Sequence, residues 1–409
     1  MELVRKYPVI IIFAAYVVIE ITKVTGVVCG PVFQRIFGFS DTRLGLFFSA
    51  LAMGGILTNL CVGHFIHRLG LWRAWSMGLL GTIFAVVAVI VIAGGFWGIF
   101  IPIFLLGIAH IFTINVNHTF LSHVYNDKLQ RVMGLASGLW FGSSVLTAPV
   151  VGYWVEWSSQ QGMHWSSYGV PYLINIGLMV IIFTVGFQLL RPLLKSTDSD
   201  DRAVTRRILA DTPNSTPSLG GKVLICLIAY LHGTAIVALM TWANPMVQAK
   251  FEVSDFHGSL VLMALALGLA TGRLFIATGL LALDNRKMLF VCGLTGGLLF
   301  AVSINLQAYW LTLAAIATGG LLMSGTAPAI LALVSEKFFV IKAHVFGHIG
   351  VSISLASFIT PWMIGIMADT GMPLDKVLWL SPLAAGGLGL ISIGWKIADK
   401  QAKVCMAGN

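Results

Sequence analysis

From Ala74 to Asn126 the chain runs 53 residues without an Asp, Glu, Lys or Arg, and from Met288 to Ser335 it runs another 48. No other feature restricts the fold so sharply. A bilayer core is crossed by about 20 apolar residues, so each run is long enough for two helices and a tight turn. Shorter charge-free runs cover Leu44–His67, Val132–Val155, Trp157–Leu190, Val223–Ala249, Ala343–Ala368 and Val377–Trp395. Two further segments are interrupted: Tyr7–Gln34 by Glu20 and Lys23, and Phe256–Leu283 by Arg273. The expectation is twelve spans. Lipid offers no partner to a free backbone amide, so the spans must be helices. The ten-residue alternation of a membrane β-barrel is not found. Only 10% of the 409 residues are charged, against about 25% in a soluble domain. That excludes a soluble enzyme, a disordered chain and a disulfide-framed secreted module.

Orientation follows from the basic residues. With both termini inside, 20 of the 25 Lys and Arg fall on the cytoplasmic side. Arg35, Arg43, Lys250 and Lys376 fall outside, and Lys23 lies within the first span. This is a strong positive-inside bias. It accounts for the net charge of +9 through anionic lipid, with no nucleic-acid partner. No small-residue cleavage site follows the first apolar run, so that span is expected to be retained. The expected product is an integral multi-pass protein of the plasma (bacterial inner) membrane, monomeric, with both termini cytoplasmic. Cys29, Cys61, Cys226 and Cys292 lie in or at the ends of spans without metal spacing, and read as packing thiols. His344 and His348 have i,i+4 spacing, but no acid or cysteine completes a ligand set, so no metal is expected. No cofactor, phosphate-binding loop or catalytic set is found, which argues against an enzyme and against ATP drive.

The chain divides at Arg191–Lys222, its one long polar stretch. This reads as a flexible cytoplasmic linker between an N-terminal half, 1–190, and a C-terminal half, 223–409. The halves repeat each other. Gly63-His-Phe-Ile-His67-Arg68-Leu-Gly70 with Arg73 follows span two, and Gly272-Arg273 with Gly279, Asp284, Arg286 and Lys287 follows span eight. Span five ends Pro149-Val-Val-Gly152-Tyr-Trp-Val-Glu156, and span eleven ends Pro361-Trp-Met-Ile-Gly365-Ile-Met-Ala-Asp369. Such duplication is the sequence trace of transporter halves with a substrate site between them near the midplane.

These residues resemble the major facilitator superfamily over nearly the whole chain. The loop Gly63–Arg73 is similar to that family's signature between helices 2 and 3, with His67 where an acid is usual. Span five is similar to its glycine–proline motif, with Ala148-Pro149 for Gly-Pro. Gly26 to Pro31 followed by Phe33-Gln34, Asn117, Tyr230-Leu-His-Gly233, Trp242 and Thr326–Leu333 resemble the fucose/glucose–proton symporter branch. The resemblance implies an all-α fold of two pseudo-symmetric six-helix bundles working by alternating access. It implies gating by Gly63, His67, Arg68, Gly70 and Arg73. It also implies proton-linked movement of a sugar-like solute, although span four lacks the acid that the branch uses.

The physics of the spans picks out further residues. Glu20 lies 14 residues beyond Lys6, about 21 Å at 1.5 Å per residue, so it is expected near the bilayer centre with Lys23 in the outer half. Their i,i+3 spacing lets them pair, as a structural pair or as a titratable, substrate-binding one. His110 and Asn117 share one face of span four and could serve proton and polyol; His118 and His123 read as structural. His232, Trp242 and Asn244 in span seven suit a sugar ring, although Trp is also ordinary at an interface. Arg273 could clamp an anion with Lys23, or pair with Asp284 in the inner gate. Two solute classes therefore stand open: a sugar-like molecule, favoured, and a small organic or inorganic anion. A transport-dead sensor or scaffold would need a large soluble appendage, and the linker is too short for one.

Overall fold

The computed structural model describes residues 2–125, 129–210, 219–278, 284–337 and 342–407. The helices in chain order are α1 (Glu2–Phe37), α2 (Asp41–Leu69), α3 (Leu71–Ile92), α4 (Phe96–Val124), α5 (Leu129–Gln160), α6 (His164–Ala210) and α7 (Leu219–Phe251). There follow α8 (Asp255–Ala277), α9 (Asn285–Asn305), α10 (Tyr309–Met323), α11 (Thr326–Lys337), α12 (Lys342–Asp369), α13 (Leu374–Val377) and α14 (Leu380–Ala407). Twelve segments are long and apolar enough to cross a membrane. The tenth is α10 and α11 together, broken at Ser324-Gly325, and the twelfth is α13 with the start of α14.

The turns follow local chemistry. Gly70 alone separates α2 from α3, at φ +79°. A side chain there would clash with its own backbone, so glycine is the residue that turns the chain in one step. At the other face Ser40 caps α2, its hydroxyl accepting from the Arg43 amide at 3.4 Å.

The expected linker is reported differently by the structure. α6 runs unbroken from His164 to Ala210, so the polar stretch begins as helix; the membrane-length part of α6 ends at Arg191. Helix hydrogen bonds form along the chain whatever the side chains, and Leu, Lys, Arg and Ala between 191 and 210 are good helix formers. Residues 211–218 lie outside the described residues.

The duplication read from the sequence is visible in the packing. In the first half α1 packs on α5 and α6, α2 on α4, and α3 on α4 and α6. In the second half α7 packs on α12 and α14, α8 on α10, and α9 on α10 and α14. Shifting every span by six converts one set into the other. Matching glycines carry the crossings. A Cβ on Gly54 or Gly107 would strike backbone across the α2–α4 contact, and one on Gly268 or Gly320 would do the same at α8–α10. α1 is the most enclosed span, 67% buried, and α6 the least, 28%. α1 is therefore central, while α3 and α6 present Phe84, Val91, Ile174 and Ile181 outward, as lipid-facing helices do.

The two halves meet through α2–α12 and α5–α8. We call the face holding the α1–α2 turn the distal face, and the face holding the chain ends the terminal face. The joining contacts gather toward the distal face. A Cβ on Gly45 would meet the Pro361 carbonyl, and one on Gly365 the Asp41 carbonyl. Ser49 donates to the Phe358 carbonyl at 2.5 Å, and Arg35 pairs with Asp255 at 2.6 Å. Nearer the terminal face, Gly63 on α2 and Gly347 on α12 have nothing within 4 Å of where a Cβ would stand. α2 and α12 therefore meet at the distal end and leave space at Gly63 and Gly347, while α5 and α8 stay in contact nearer the terminal face, where a Cβ on Gly138 would stand 3.2 Å from Leu274.

Candidate functional site

Glu20 and Lys23 stand where α1 passes between the halves. Glu20 is fully buried, and Lys23 Nζ lies 3.1 Å and 3.3 Å from its two carboxylate oxygens. Ser144 on α5 donates to Glu20 Oε1 at 3.0 Å. Lys23 Nζ also lies 5.6 Å from the Trp140 ring centre, within cation–π range. Lys23 is the middle residue of the span Val9–Phe37. A buried carboxylate survives there because its cation and hydroxyl replace the lost water.

Across the site, Arg273 on α8 lies with Cζ 5.6 Å from the Phe141 ring centre. Its Nε is shut off from solvent with no partner, and Arg273 makes no ion pair with Asp284. Glu20–Lys23 and Arg35–Asp255 are ion pairs among the described residues. Helical side chains lean toward their own N-terminus. α1 starts at the terminal face and α8 at the distal face, so Lys23 and Arg273 lean toward each other with Phe141 between them. Lys23, Phe141 and Ser144 from one half and Met240, Leu262, Leu265 and Leu269 from the other line a small cavity of about 20 Å³. Val24 and Val27 line it too, so Lys23 and Ser144 are the polar groups of an otherwise hydrocarbon cavity.

On α4, His110 sits beside the middle of its span, at the depth of Lys23, and the two are electrostatic neighbours. Its Nε2 is buried without a partner, as are both amide atoms of Asn117. His118, which reads as structural from the sequence, is solvent-exposed although its ring is 5.7 Å from the fully buried Tyr16. Asn115, on another face, donates to Asn59 at 3.1 Å, and Asn59 donates to Ser354 of the opposite half at 3.2 Å. Sequence reasoning missed Asn59, Phe141, Ser144 and Ser354. Small polar or aromatic residues are common in spans, and nothing in their spacing distinguishes these four.

The span-seven candidates separate. His232 shares a 2.8 Å hydrogen bond with Thr326, at the start of α11. With the Thr326 hydroxyl donating to the Met323 carbonyl at 2.7 Å, His232 Nδ1 is the donor in that bond. His232 is an electrostatic neighbour of Arg273. Trp242 is fully buried, its indole N–H on the Pro361 carbonyl at 3.1 Å and its ring edge-on to Phe48 of the other half. Asn244 is also fully buried and accepts from Gln248 at 2.8 Å. In this state both lie in the distal closure, away from the cavity of Lys23 and Phe141. Of the gating candidates, Gly63, Arg68 and Arg73 are exposed and Gly70 makes the turn; the His67 side chain lies outside the described residues.

Comparison with known proteins adds to this geometry. The family model described as Major Facilitator Superfamily matches residues 9–284. No curated protein matches the chain. Among solved structures, a crystal structure of tetrameric PepTSo2 is similar in fold, with a TM-score of 0.63 over 97% of this chain and 98% of that one, at 12% identity.

Proposed function

The chain belongs to the major facilitator superfamily, and from that premise we propose that it carries a small organic anion with an apolar body by alternating access. One observation carries the reading: Arg273, a cation with a buried and unpartnered Nε, stands over Phe141, and Phe141 with Lys23 lines a largely hydrocarbon cavity. A carboxylate would supply the missing counter-charge. Met240, Leu262, Leu265 and Leu269 would take its apolar part. Rocking of the halves changes the room available, so the small cavity belongs to one stage of the cycle.

The sugar-like solute remains the second reading. The half-buried row Asn59–Asn115–Ser354 favours it, since amides and hydroxyls match polyols. Burial of Trp242 and Asn244 in the distal closure weighs against it. The discriminating measurement is thermal stabilisation of the purified protein across short alkyl carboxylates and hexoses. At 100 times Kd a ligand stabilises by about 2.7 kcal/mol, which a melting scan resolves. Stabilisation by carboxylates and not by hexoses is expected; the reverse sinks the anion reading.

Transport is driven by a gradient in this proposal, with Glu20 as the proton carrier of a symport cycle. The terminal face is taken as cytoplasmic, supported by the Lys and Arg bias. A cytoplasmic reporter fused within Ser196–Pro217 should then be active, and one near Ser158–His164 silent. An active reporter at the second place alone would invert the orientation.

A further inference from the structure

Two carboxylates on the distal face repeat each other across the duplication. Glu156, near the end of α5, and Asp369, at the end of α12, stand 213 positions apart, as do Gly152 and Gly365 one turn before them. Each carboxylate reaches into the opposite half and takes backbone amides from the first turn of a helix. Asp369 accepts from the Asp41 and Thr42 amides of α2, both at 2.9 Å. Glu156 accepts from the Phe256 amide of α8 at 3.0 Å. Thr42 and Phe256 are themselves 214 positions apart. The first amides of a helix have no partner within it and carry the positive end of its dipole. An anion donated by the other half is thus their natural cap.

The glycines make the approach possible. A Cβ on Gly365 would fall on the Asp41 carbonyl, and one on Gly152 would strike Ser259 and stand 3.3 Å from the Asp255 carbonyl. Gln34 donates to Asp41 Oδ1 at 2.7 Å, and Arg35 holds Asp255 in a two-bond pair. The side chains of Asp41 and Asp255, at equivalent places on α2 and α8, are thereby held by α1, leaving the helix-start amides to Asp369 and Glu156.

We propose that Asp369 and Glu156 form a duplicated distal latch, in which each half caps a helix start of the other, and that the latch must release before the distal face can open. The latch is a conformational device of the transport cycle and is independent of which solute is carried. It lies at the far end of α2 and α12 from the open glycines Gly63 and Gly347, so it acts on the same helix pair that has parted on the terminal side.

The test uses the full chain in liposomes, with spin labels at Gly94→Cys and Gln307→Cys, exposed positions on the distal face of the two halves, in a background without other cysteines. Unaltered protein should give one short separation. Asp369→Asn leaves a single side-chain acceptor for two amides and removes the charge. It should raise the population with a wide distal separation on the order of tenfold. Glu156→Gln should raise it in the same direction by less, because it takes one amide, and it serves as the reading if Asp369→Asn does not fold. Arg43→Gln, which removes a distal charge lying over Phe96 of its own half and touches no amide cap, separates a cap effect from general loss of distal charge. A folded double variant, Asp369→Asn with Glu156→Gln, whose distance distribution matches the unaltered protein overturns the latch. So does a shift in the cap variants no larger than that of Arg43→Gln.

Discussion

Lys23→Met should destabilise the protein by about 3–5 kcal/mol, because it strands the Glu20 carboxylate in a buried place with neutral partners only, the Ser144 hydroxyl and the Trp140 side chain. Methionine keeps the length and apolar stem of lysine, so lost packing contributes little. The converse change, Glu20→Gln, leaves Lys23 without its anion. Lysine is 26% exposed on its side chain and can reach water, so that variant should lose less. The pair variant, Glu20→Gln with Lys23→Met, should recover most of the stability, since removing both members of a buried pair is often near neutral. Melting of the four proteins in one detergent forms a complete double-mutant cycle. A double variant as unstable as Lys23→Met would show that the cation acts through some contact other than Glu20. Transport separates the two roles. Glu20→Gln should still exchange solute across the membrane and fail to accumulate it uphill; accumulation at the unaltered rate would leave Glu20 as a structural partner of Lys23.

Arg273→Gln has the opposite signature. Arg273 Nε is buried without a partner in the empty protein, so removing the charge relieves a desolvation penalty and orphans nothing. The empty variant should melt at or above the temperature of the unaltered protein. Binding of a carboxylate should weaken by about 2–3 kcal/mol, roughly 30- to 150-fold, as expected for one lost charge-assisted contact. Retention of carboxylate affinity within about twofold would remove Arg273 from the site. A fall in stability larger than 1 kcal/mol (roughly the scale of an ordinary point mutation) would mean that it holds the helices and leaves the solute to other groups.

The number and approximate length of the spans were legible from residue order, because the bilayer sets one length scale and excludes charge along it. The pairing of Glu20 with Lys23 was legible for the same reason: i,i+3 is a fixed distance on any helix, and 3.1 Å is the result. The repeat of Pro149–Glu156 in Pro361–Asp369 could also be read directly. Relations between helices could not. Sequence spacing gives the face of a helix and is silent on what that face meets. Arg273 reads as an anion clamp or as a partner of Asp284, and only the packing of α5 on α8 sets it over Phe141. Trp242 reads as a sugar platform until Pro361 and Phe48 are found against it. His118 reads as a packed histidine until its surface is found exposed. The carboxylates Glu156 and Asp369 look like ordinary span ends, because their partners are backbone amides 100 and more than 300 residues away. Lipid thickness acts on each span separately and is written along the chain. The site and its latch depend on how the two halves rest on one another, and that is decided by packing between residues far apart in sequence.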